Sequence, residues 1–463
     1  MAVSEQLIQD VVKEVLAKME LSKPQSSAQL GIFDDMKSAI AAAKEAQKVI
    51  HRMSLDQREK IISNIRRKTM ENAELLARMG VDETKMGNVP HKILKHQLLA
   101  EKTPGTEDLK TVAWSGDRGL TLVEEGPFGV IGAITPTTNP SETVICNSIG
   151  MIASGNTVVF NPHPKAIRTS NFAVSMINEA SIEAGGPANV ACSLAKPTLE
   201  SSDIMMKSSD ISLLVATGGP GVVTAVLSSG KRGIGAGAGN PPALVDETAD
   251  VKKAAMDIVN GCTFDNNLPC IAEKEIVAVD AICDELMHEL VTECGCYLAS
   301  KEEQDKLTRT VLTPKGLNRD CVGKDAKTLL GMIGVTVPDN IRCIVFEGPK
   351  EHPLIAEELM MPILGVVRAK DFDDALEQAV WLEHGNRHSA HIHSKNIDNI
   401  TRYAKAIDTA ILVKNAPSYA ALGFGGEGYC TFTIASRTGE GLTSASTFTK
   451  KRRCVMADSL CIR

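Results

Sequence analysis

Cys270, in the segment NNLPC, is placed where a thiol could act as a nucleophile. Pro269 precedes it in a polar turn, and a strand-like apolar run follows from near Glu273. Loop residues held by a rigid sheet are common positions for nucleophiles, and a loop exposes a sulfur that a strand would bury. A free cysteine is most often a small buried side chain, which is our interpretation of the remaining cysteines. Cys270 is therefore the candidate nucleophile.

Two glycine clusters next to predicted strands could approach a ligand closely. They are ATGGPGVV at residues 216–223 and GIGAGAGNPP at residues 233–242. Glycines after a strand let the backbone approach a phosphate, which the N-terminus of a following helix also favours. Neither cluster matches the full G-x-G-x-x-G fingerprint in its usual setting, and glycine-rich turns are common at strand ends. Cofactor contact and a plain structural turn both stay open on this pattern.

The histidine-rich segment EHGNRHSAHIHS at residues 383–394 raises the question of a metal site. His391 and His393 alternate, which would place both on one face of a strand, but no cysteine or carboxylate of ligand spacing accompanies them. Cys294 and Cys296 form a C-x-C pair without a second pair, and surface or core thiols explain them adequately. We predict no metal site.

Length, charge and hydropathy limit the class of protein. The chain has 463 residues, of which 43% are hydrophobic, and this size favours two or three domains or a large α/β enzyme. Its 50 Lys and Arg against 57 Asp and Glu give a net charge of -7, which provides no basic footprint for nucleic acid. No apolar run approaches the roughly 20 residues that cross a bilayer. We expect neither nucleic acid nor a membrane as a partner.

The N-terminal segment predicts an amphipathic helix of about four turns. Its apolar residues recur with helical spacing at Leu7, Ile8, Val11, Val12, Val15, Leu16 and Met19. Glu5, Asp10 and Glu14 interrupt the apolar stretch that a secretory signal needs, so we expect a cytoplasmic protein with reduced thiols. The following LSKPQSSAQLG is typical of a linker. The helix could lie on its own subunit or dock on another protein.

The rest of the chain predicts alternating helices and strands. Helical periodicity covers residues 31–105. Short apolar runs then predict strands at residues 129–134, 156–162, 212–219, 242–247, 274–280, 342–348 and 363–369. Strands separated by helices imply parallel sheets covered on both faces, so we predict an α/β, doubly wound fold with two sheets. The C-terminal TFTKKRRCVMADSLCIR is basic, then β-prone, and could be a strand that pairs with another subunit.

Six motifs, in chain order, resemble the aldehyde dehydrogenase superfamily. They are EGPFGVIGAITPTTNP (125–140), GNTVVFNPHPKA (155–166), VATGGPGVV (215–223), GAGAGNPPALVDETADVKKAA (235–255), NNLPCIAEKE (266–275) and EELMMPILGVVRAKDFDDALEQA (357–379). The resemblance covers nearly the whole chain from about residue 31. More narrowly, the motifs are similar to the coenzyme A-acylating aldehyde dehydrogenases of bacterial microcompartments, which oxidise acetaldehyde or propionaldehyde to the acyl-CoA.

This resemblance implies a fold with two doubly wound domains and a β oligomerisation arm. The implied parts are a targeting helix (1–20), a linker (21–30), a dinucleotide-binding domain (31–112 and 132–236), a catalytic domain with the cysteine nucleophile (237–430) and bridging elements (113–131 and 431–463). It also implies a homo-oligomer, dimer or tetramer, in the lumen of a microcompartment. Docking of residues 1–20 on a shell protein is implied too.

The resemblance further implies NAD and coenzyme A as the partners of the thiol. As a thiolate, Cys270 would attack the aldehyde to give a thiohemiacetal, whose hydride would pass to the nicotinamide and leave a thioester for CoA. Asn139 and the Cys270 N–H would stabilise the oxyanion, although an Asn before Pro140 can simply form a turn. Hydrolytic relatives carry a glutamate at the position that matches Gly235. Glycine there would leave water without a base and give a thiol room.

Cofactor contacts are implied at positions that match the family motifs. Glu358 matches the glutamate that holds the nicotinamide ribose, but it could also be a helix-end surface carboxylate. Asn161 and His163 stand where hydrolytic relatives contact the adenosine ribose, which leaves NAD against NADP open. The other implied contacts are Thr135, Pro136, Thr137, Thr217, Gly218, Gly219, Gly235, Ala236 and Gly237.

Two other functions compete with CoA-acylating oxidation. A hydrolytic NAD(P)-dependent aldehyde dehydrogenase would turn over at full rate without CoA. A catalytically idle interaction protein, which joins an assembly through its N-terminal helix, would survive replacement of Cys270 by Ala. The length of the aldehyde also stays open, because acetaldehyde and propionaldehyde differ by one methylene, worth roughly 1 kcal/mol in a pocket.

Overall fold

The computed structural model describes residues 30–314 and 316–462. The predicted targeting helix at residues 1–20 lies outside the described residues, as does the linker up to residue 29. No helix within the described ranges is long and apolar enough to cross a membrane.

The helices of the described residues cluster before the first long strand and then alternate with strands. They are α1 (Met36–Ile50), α2 (Leu55–Glu71), α3 (Ala73–Thr84), α4 (Val89–Lys102), α5 (Pro140–Ala153), α6 (Ile167–Glu183), α7 (Leu199–Lys207), α8 (Pro220–Leu227), α9 (Val251–Thr263), α10 (Asp280–Thr292), α11 (Lys301–Val311), α12 (Ala326–Met332), α13 (Pro353–Ala356), α14 (Phe372–Leu382) and α15 (Ile397–Ile407). Short 3-10 turns lie at Thr106–Asp108, Phe264–Asn267, Ser418–Leu422 and Ala445–Phe448.

The strands fall into two large sheets and three small ones. They are β1 (Ile32–Phe33), β2 (Val112–Gly116), β3 (Gly119–Pro127), β4 (Val130–Thr135), β5 (Thr157–Pro162), β6 (Ala191–Leu194), β7 (Ile211–Thr217), β8 (Gly233–Ala236), β9 (Pro242–Val245), β10 (Glu275–Val279), β11 (Cys296–Leu298), β12 (Leu312–Thr313), β13 (Gly316–Leu317), β14 (Cys343–Glu347), β15 (Ile363–Ala369), β16 (Ser389–His393), β17 (Ile411–Lys414), β18 (Ile434–Ala435), β19 (Gly441–Leu442) and β20 (Thr449–Ala457).

The first large sheet has the strand order β1-β6-β5-β4-β7-β8, and all its pairs are parallel. Successive side chains of its central strands enter different cores. Ile131 and Val158 pack with Ile145 of α5, whereas Val130 and Val159 pack with Ile40 of α1. Burial on both faces explains why these strands read as continuous apolar runs. The predicted strands at residues 129–134, 156–162 and 212–219 are confirmed as β4, β5 and β7.

The second large sheet has the order β11-β14-β15-β10-β9-β16-β17 and is also parallel throughout. Its strands likewise divide their side chains between two cores, as Val277 and Ile276 of β10 show. The four predicted strands from residue 242 onward are confirmed as β9, β10, β14 and β15. The prediction of an α/β, doubly wound fold with two parallel sheets is therefore confirmed.

A small antiparallel sheet, β2-β3-β20, stands apart from both. Its strand β20 confirms the β-strand predicted at the C-terminus, and most of its residues are exposed. Within the described chain this strand pairs with β3, from Thr449 opposite Pro127 to Ala457 opposite Gly119. Pairing with another subunit stays a prediction.

The two large sheets meet through a short connection that brings their strand ends together. The chain leaves the first sheet at Ala236, the end of β8, and enters the second at Pro242, the start of β9. Helix α5 starts just after β4, and all 14 of its residues are buried. A helix that is buried all round gives its N-terminal residues a fixed position, and crevices at the carboxyl ends of parallel strands are the usual ligand sites of such folds.

Candidate active site

The turn that leads to Cys270 has an unusual backbone. Asp265, Asn266 and Asn267 follow one another with φ of 49°, 54° and 68°, all in the left-handed region. Asp and Asn tolerate this region better than other residues that carry a side chain, but such backbone persists only where its surroundings fix it. The turn between α9 and β10 is therefore a strained segment next to the candidate nucleophile.

Side chains hold this turn from several directions. The Asn267 amide donates to the carbonyls of Cys262 and Glu273, both at 2.9 Å. Lys274 Nζ in turn donates to Asn267 Oδ1 at 2.5 Å. Asn266 Nδ2 donates to the carbonyl of Gly323 at 2.9 Å. These bonds fix the backbone on which Cys270 is carried.

The Cys270 thiol is half-buried and packs against the apolar core of the first sheet. Burial raises its pKa from 9.0 to about 12, and the charge of Glu358 acts in the same direction. Lys274 and Lys95 oppose this shift of the pKa. Since a protonated thiol is a poor nucleophile, Cys270 needs a proton acceptor or added positive charge before it can attack.

Asn139 occupies the N-cap position of α5, directly before Pro140. Its carbonyl accepts from Thr143 N–H at 3.1 Å, so it starts a helix and is more than a turn residue. Its side chain makes no cap bond, although Asn is a favoured N-cap residue. Instead Oδ1 accepts from Lys95 Nζ at 2.5 Å, and Nδ2 donates to Thr138 Oγ1 at 3.3 Å. A second amide hydrogen is left for a ligand oxygen.

Four buried charges lie behind Asn139, and we call them the paired cluster. They are Lys92, Lys95, Glu142 and Asp265, each at most 2% exposed. Asp265 Oδ2 lies 2.6 Å from Lys95 Nζ and 3.0 Å from Lys92 Nζ, and Glu142 Oε1 lies 2.9 Å from Lys95 Nζ. Burial opposes charge on Lys95 and Glu142, but the neighbouring charges outweigh it. They raise the pKa of Lys95 and lower that of Glu142.

The carboxyl ends of β4 and β7 offer groups for a dinucleotide. Thr135 Oγ1, at the end of β4, is buried and has no hydrogen-bond partner within the described residues. After β7, Gly218 and Gly219 lead into α8, whose N-terminus has no side-chain cap. A Cβ placed on either glycine would meet no described atom within 4 Å. Open space at a helix N-terminus fits a phosphate.

The other residues predicted to contact the cofactor at the carboxyl ends of β4 and β7 lie in a turn or already contact another side chain. Pro136 and Thr137 lie in the turn between β4 and α5. Thr217, the last residue of β7, has its Oγ1 2.9 Å from Thr433 Oγ1. The C-terminal segment near residue 433 thus closes over the strand end.

Gly235 does not provide the space that the sequence suggested. A Cβ there would lie 2.8 Å from Val223 Cγ1, so it faces the core under α8. A Cβ on Gly237 would have as its nearest contact Arg437 Cδ at 4.0 Å. The room expected at Gly235 lies instead at Gly237, which follows the end of β8 at Ala236. The prediction of space at Gly235 is corrected accordingly.

The segment predicted to meet the adenosine ribose has one free and one engaged side chain. Asn161 accepts from Ser201 Oγ at 2.7 Å and donates to Ser202 Oγ at 2.6 Å, so it holds the start of α7. His163 is half-buried, and its Nδ1 accepts from the Lys165 N–H at 3.1 Å. Burial lowers the pKa of His163, and Arg319 and Lys165 add to the shift. The amide of Asn161 is thus engaged at both its oxygen and its nitrogen, whereas His163 keeps Nε2 for a ligand.

Glu358 lies between α13 and β15, where it accepts a hydrogen bond from the Gly239 N–H. Burial raises its pKa, and Lys274 opposes that change. Its charge acts on Cys270, so the carboxylate lies near the thiol. Glu358 is therefore a held carboxylate of the site.

His388 is a neighbour of the site that sequence reasoning considered only as a metal ligand. Its ring lies where a Cβ on Gly239 would fall, 2.8 Å from His388 Cγ. Burial lowers its pKa to about 4, so the ring is neutral. His391 Nε2 pairs with the Ile271 carbonyl at 2.9 Å. Within residues 30–314 and 316–462 no group of three or more His, Cys, Asp or Glu could hold a metal.

The paired cluster and Lys274 are residues that the sequence analysis missed. One signal for the cluster was present in α4, where Lys92 and Lys95 recur with the spacing of its buried Leu98 and Leu99. Lysines at buried-face spacing indicate buried partners of opposite charge. Their partners, Glu142 and Asp265, belong to distant segments.

The model of the aldehyde dehydrogenase family matches residues 21–449. An acetylating acetaldehyde dehydrogenase of Salmonella typhimurium is 44% identical over 464 residues, which cover 98% of this chain and 99% of that protein.

Solved structures agree with this match. A propionaldehyde dehydrogenase from the fucose utilisation microcompartment of Clostridium phytofermentans is 80% identical, with a TM-score of 0.93 over 94% of this chain and 100% of that one. The Rhodopseudomonas palustris propionaldehyde dehydrogenase, solved with bound CoA and an acylated cysteine, is 53% identical. Its TM-score is 0.92 over 94% of this chain and 99% of that one.

Proposed function

The chain belongs to the aldehyde dehydrogenase family, and we propose that it oxidises a short-chain aldehyde with NAD and coenzyme A to the acyl-CoA and NADH. The observation that carries this proposal is Cys270, held in a fixed turn near an oriented Asn139 amide. The full-length similarity to an acetylating enzyme, at 44% identity, supports the acyl-CoA product. Acetaldehyde and propionaldehyde are the substrates of the relatives and the proposed substrates here.

The reaction begins with a bond between Cys270 Sγ and the aldehyde carbon. The thiol loses its proton, and the electron pair of the C=O π bond moves to oxygen, which is an oxyanion until a proton is returned to it in the thiohemiacetal. Burial and Glu358 raise the pKa of Cys270 to about 12, so formation of the thiolate requires a group that accepts the proton. The half-buried, largely apolar surroundings then keep water from competing.

Asn139 Nδ2 and the Cys270 N–H are the proposed donors to the new oxyanion. Both belong to rigid parts of the chain, the N-cap of buried α5 and the turn held by Asn267. Donors fixed before the reaction need no reorganisation when charge develops. Removing one such donor typically lowers kcat by about 10²–10³-fold.

The residues at the strand ends fit a nicotinamide dinucleotide. Gly218 and Gly219 at the N-terminus of α8 would take phosphate, and the unpartnered Thr135 Oγ1 would take a polar group. Glu358 would hold the nicotinamide ribose, and His163 would lie nearest the adenosine ribose. A bound oxidised nicotinamide would supply the hydride acceptor, so that the carbon attached to Cys270 would lose hydride and remain on that residue as a thioester.

Acyl transfer to CoA completes the reaction. The CoA thiol attacks the thioester carbonyl, the acyl group leaves with CoA, and Cys270 regains its thiol. Gly235, Ala236 and Gly237, at and just after the end of β8, provide no carboxylate to activate water. The open position at Gly237 gives the entering thiol room. These features favour transfer to CoA over hydrolysis.

Purified protein tests this function directly. Formation of NADH should require aldehyde and CoA together, with acyl-CoA as the product by mass spectrometry. Incubation with aldehyde and NAD alone should leave an acyl adduct on the peptide that contains Cys270. The Cys270→Ala variant serves as the control and should give neither. Full-rate turnover without CoA would contradict the proposal and establish a hydrolytic enzyme. A lower KM for NADP than for NAD would show that NADP is the preferred cofactor.

We also assign the larger organisation of the chain on this basis. Residues 31–112 and 132–236 would bind the dinucleotide and residues 237–430 would carry the nucleophile. Residues 113–131 and 431–463 would bridge subunits of a dimer or tetramer. Residues 1–20 would dock on a shell protein in a microcompartment lumen, as the microcompartment origin of the 80% identical structure supports.

Deletion of residues 1–20 tests the docking role. The truncated enzyme should keep its turnover in solution but should no longer co-purify with assembled shells. A large loss of solubility or turnover would instead place this helix on the enzyme body.

A further inference from the structure

We propose that Lys95 is a positioning residue that fixes the oxyanion-binding amide of Asn139, and that Asp265 links this lysine to the turn of Cys270. The proposal rests on the proposed function, since it assigns the support of that function's oxyanion donors. Its evidence is the hydrogen-bond arrangement around the paired cluster.

Lys95 determines which way the Asn139 amide points. An ammonium group has only donors, so its 2.5 Å contact must be with the amide oxygen, Oδ1. The amide nitrogen then points away from Lys95. Without this contact, an Asn at an N-cap position would turn toward the first N–H groups of its own helix. Lys95 therefore diverts Asn139 from capping α5 and presents its N–H to the site.

Asp265 extends the same support to the second donor. Its Oδ2 lies 2.6 Å from Lys95 Nζ, and its Oδ1 accepts from the Asn88 N–H at 3.0 Å, just before α4. Asp265 is also the first of the left-handed residues that lead to Cys270. One carboxylate thus connects helix α4, which orients Asn139, with the backbone that carries the Cys270 N–H.

The burial of this arrangement makes it a rigid one. Lys95 and Asp265 are 0% exposed, and Glu142 adds a second carboxylate 2.9 Å from Lys95. Hydrogen bonds to charged groups are strong in an interior that is shielded from bulk solvent, as Lys95 is. The ring of Phe432, 5.4 Å from Lys95 Nζ, covers another side of the ammonium.

Lys92 provides a matched control for Lys95. It lies one turn earlier on α4, is 2% exposed and contacts the same Asp265 oxygen at 3.0 Å. Its other bond, however, is to the backbone carbonyl of Thr138 at 3.2 Å and not to the Asn139 amide. Loss of either ammonium disturbs the same buried charges, but only Lys95 orients the donor.

The first measurement compares Lys95→Met with Lys92→Met in the full-length enzyme, with propionaldehyde, NAD and CoA. Lys95→Met should lower kcat by about 10–100-fold, part of the loss expected for a missing oxyanion donor. Its KM for propionaldehyde should change less than about threefold, because the donor acts mainly in the transition state. Lys92→Met should lower kcat less than about threefold. The two variants should lower the melting temperature by similar amounts. Equal kcat losses in the two variants would overturn the proposal.

The decisive measurement is a double-mutant cycle with Asn139→Ala. If Lys95 acts through the amide, Lys95→Met should lower kcat by less than about threefold once that amide is gone. The same 10–100-fold loss in both backgrounds would contradict a positioning role and indicate a general structural one.

A charge-balanced variant covers the case in which Lys95→Met does not fold. Lys95→Met with Glu142→Gln removes one charge of each sign and leaves Lys92 with Asp265. The cycle is then run with this pair against Glu142→Gln alone, which keeps the bond from Lys95 to Asn139. Failure of the cycle leaves the proposed function intact, because acyl-CoA formation by the unaltered enzyme tests that separately.

Discussion

Two sets of buried acidic side chains lie in or next to the segment that carries Cys270, and their surroundings give them opposite protonation. In the paired cluster, Glu142 lies 2.9 Å from Lys95, and despite burial the lysine charges hold its pKa well below the usual range. Glu273 and Glu275, which we call the carboxyl pair, are 0% exposed. Burial raises the pKa of Glu273 to about 8 and that of Glu275 well above the usual range.

The difference shows that counter-charge, more than burial, decides the state of these groups. Glu275 has no hydrogen-bond partner for either carboxylate oxygen among the described residues, and Glu273 has none for Oε2. An unpaired buried carboxylate takes up a proton, whereas a paired one keeps its charge. Glu142, beside Lys95, therefore keeps its charge, whereas Glu275 of the carboxyl pair is neutral.

The strongest way to break this comparison is Asp265→Asn, which leaves both lysines with one carboxylate. The variant should lower the free energy of unfolding by about 3–5 kcal/mol, because it leaves a buried charge uncompensated. Asn keeps the shape of the side chain and tolerates the left-handed backbone, with φ of 49°. Urea unfolding at pH 7 measures the change.

An exposed ion pair serves as the control. Glu71 lies 2.9 Å from Arg67 on the surface of α2, and both side chains are about half exposed. Glu71→Gln should change the free energy of unfolding by less than about 0.5 kcal/mol. A loss for Asp265→Asn no larger than this would contradict the account of the paired cluster.

Glu273→Gln should raise the free energy of unfolding, whereas Asp265→Asn should lower it. The folded-state pKa of about 8 lies above the ordinary 4.5, so the folded chain keeps a proton that the unfolded chain releases. Stability from this group is complete below pH 4.5 and is lost as the pH rises to 8. The Gln variant should therefore be more stable than the parent by about 2–4 kcal/mol above pH 8.

Unfolding free energies from pH 5 to pH 9 check this expectation. Gln keeps an acceptor for the Ser418 N–H, which now bonds Glu273 Oε1 at 2.9 Å. The advantage of the variant should shrink steadily toward pH 5. If the unfolding free energies of parent and variant changed in parallel with pH, Glu273 would be charged in the folded chain, contrary to this expectation.

Gly261→Ala tests the packing around Glu273 and should change the free energy of unfolding less than the two preceding variants of buried acids. A Cβ on Gly261 would fall 2.0 Å from Glu273 Oε2, so the carboxyl group would have to move. Overpacking of this kind costs about 1–3 kcal/mol. In the Glu273→Ala background the same substitution should cost much less, and an unchanged cost would place the clash elsewhere. Thermal unfolding of the four forms gives the answer.

The parallel strands were predictable from the sequence because burial on both faces makes them continuous apolar runs. β6 was missed since its four residues, ACSL, include a cysteine and a serine in a short run. β1 has only two residues, and β8 alternates glycine with apolar residues. Motifs of this kind carry too little hydrophobic signal for a strand.

The site was predictable only in part. Cys270 and Asn139 lie in motifs that a single segment displays. The paired cluster joins α4 to Asp265 and Glu142, and lysines on a helix usually face solvent. The direction of a Cβ at Gly235 depends on strand register, which the motif does not contain. Partners that meet only through tertiary structure leave little trace in local sequence.

The left-handed turn before Cys270 has a consequence for the order in which this chain folds. Its anchoring contacts span 170 residues from Lys95 to Asp265 and 177 from Asn88 to the same side chain. Contacts between such distant segments form late, since loop closure must precede them. A refolding chain should regain its helical circular dichroism before its acyl-transfer competence, and the interval between the two would time the docking of α4 on the nucleophile's turn.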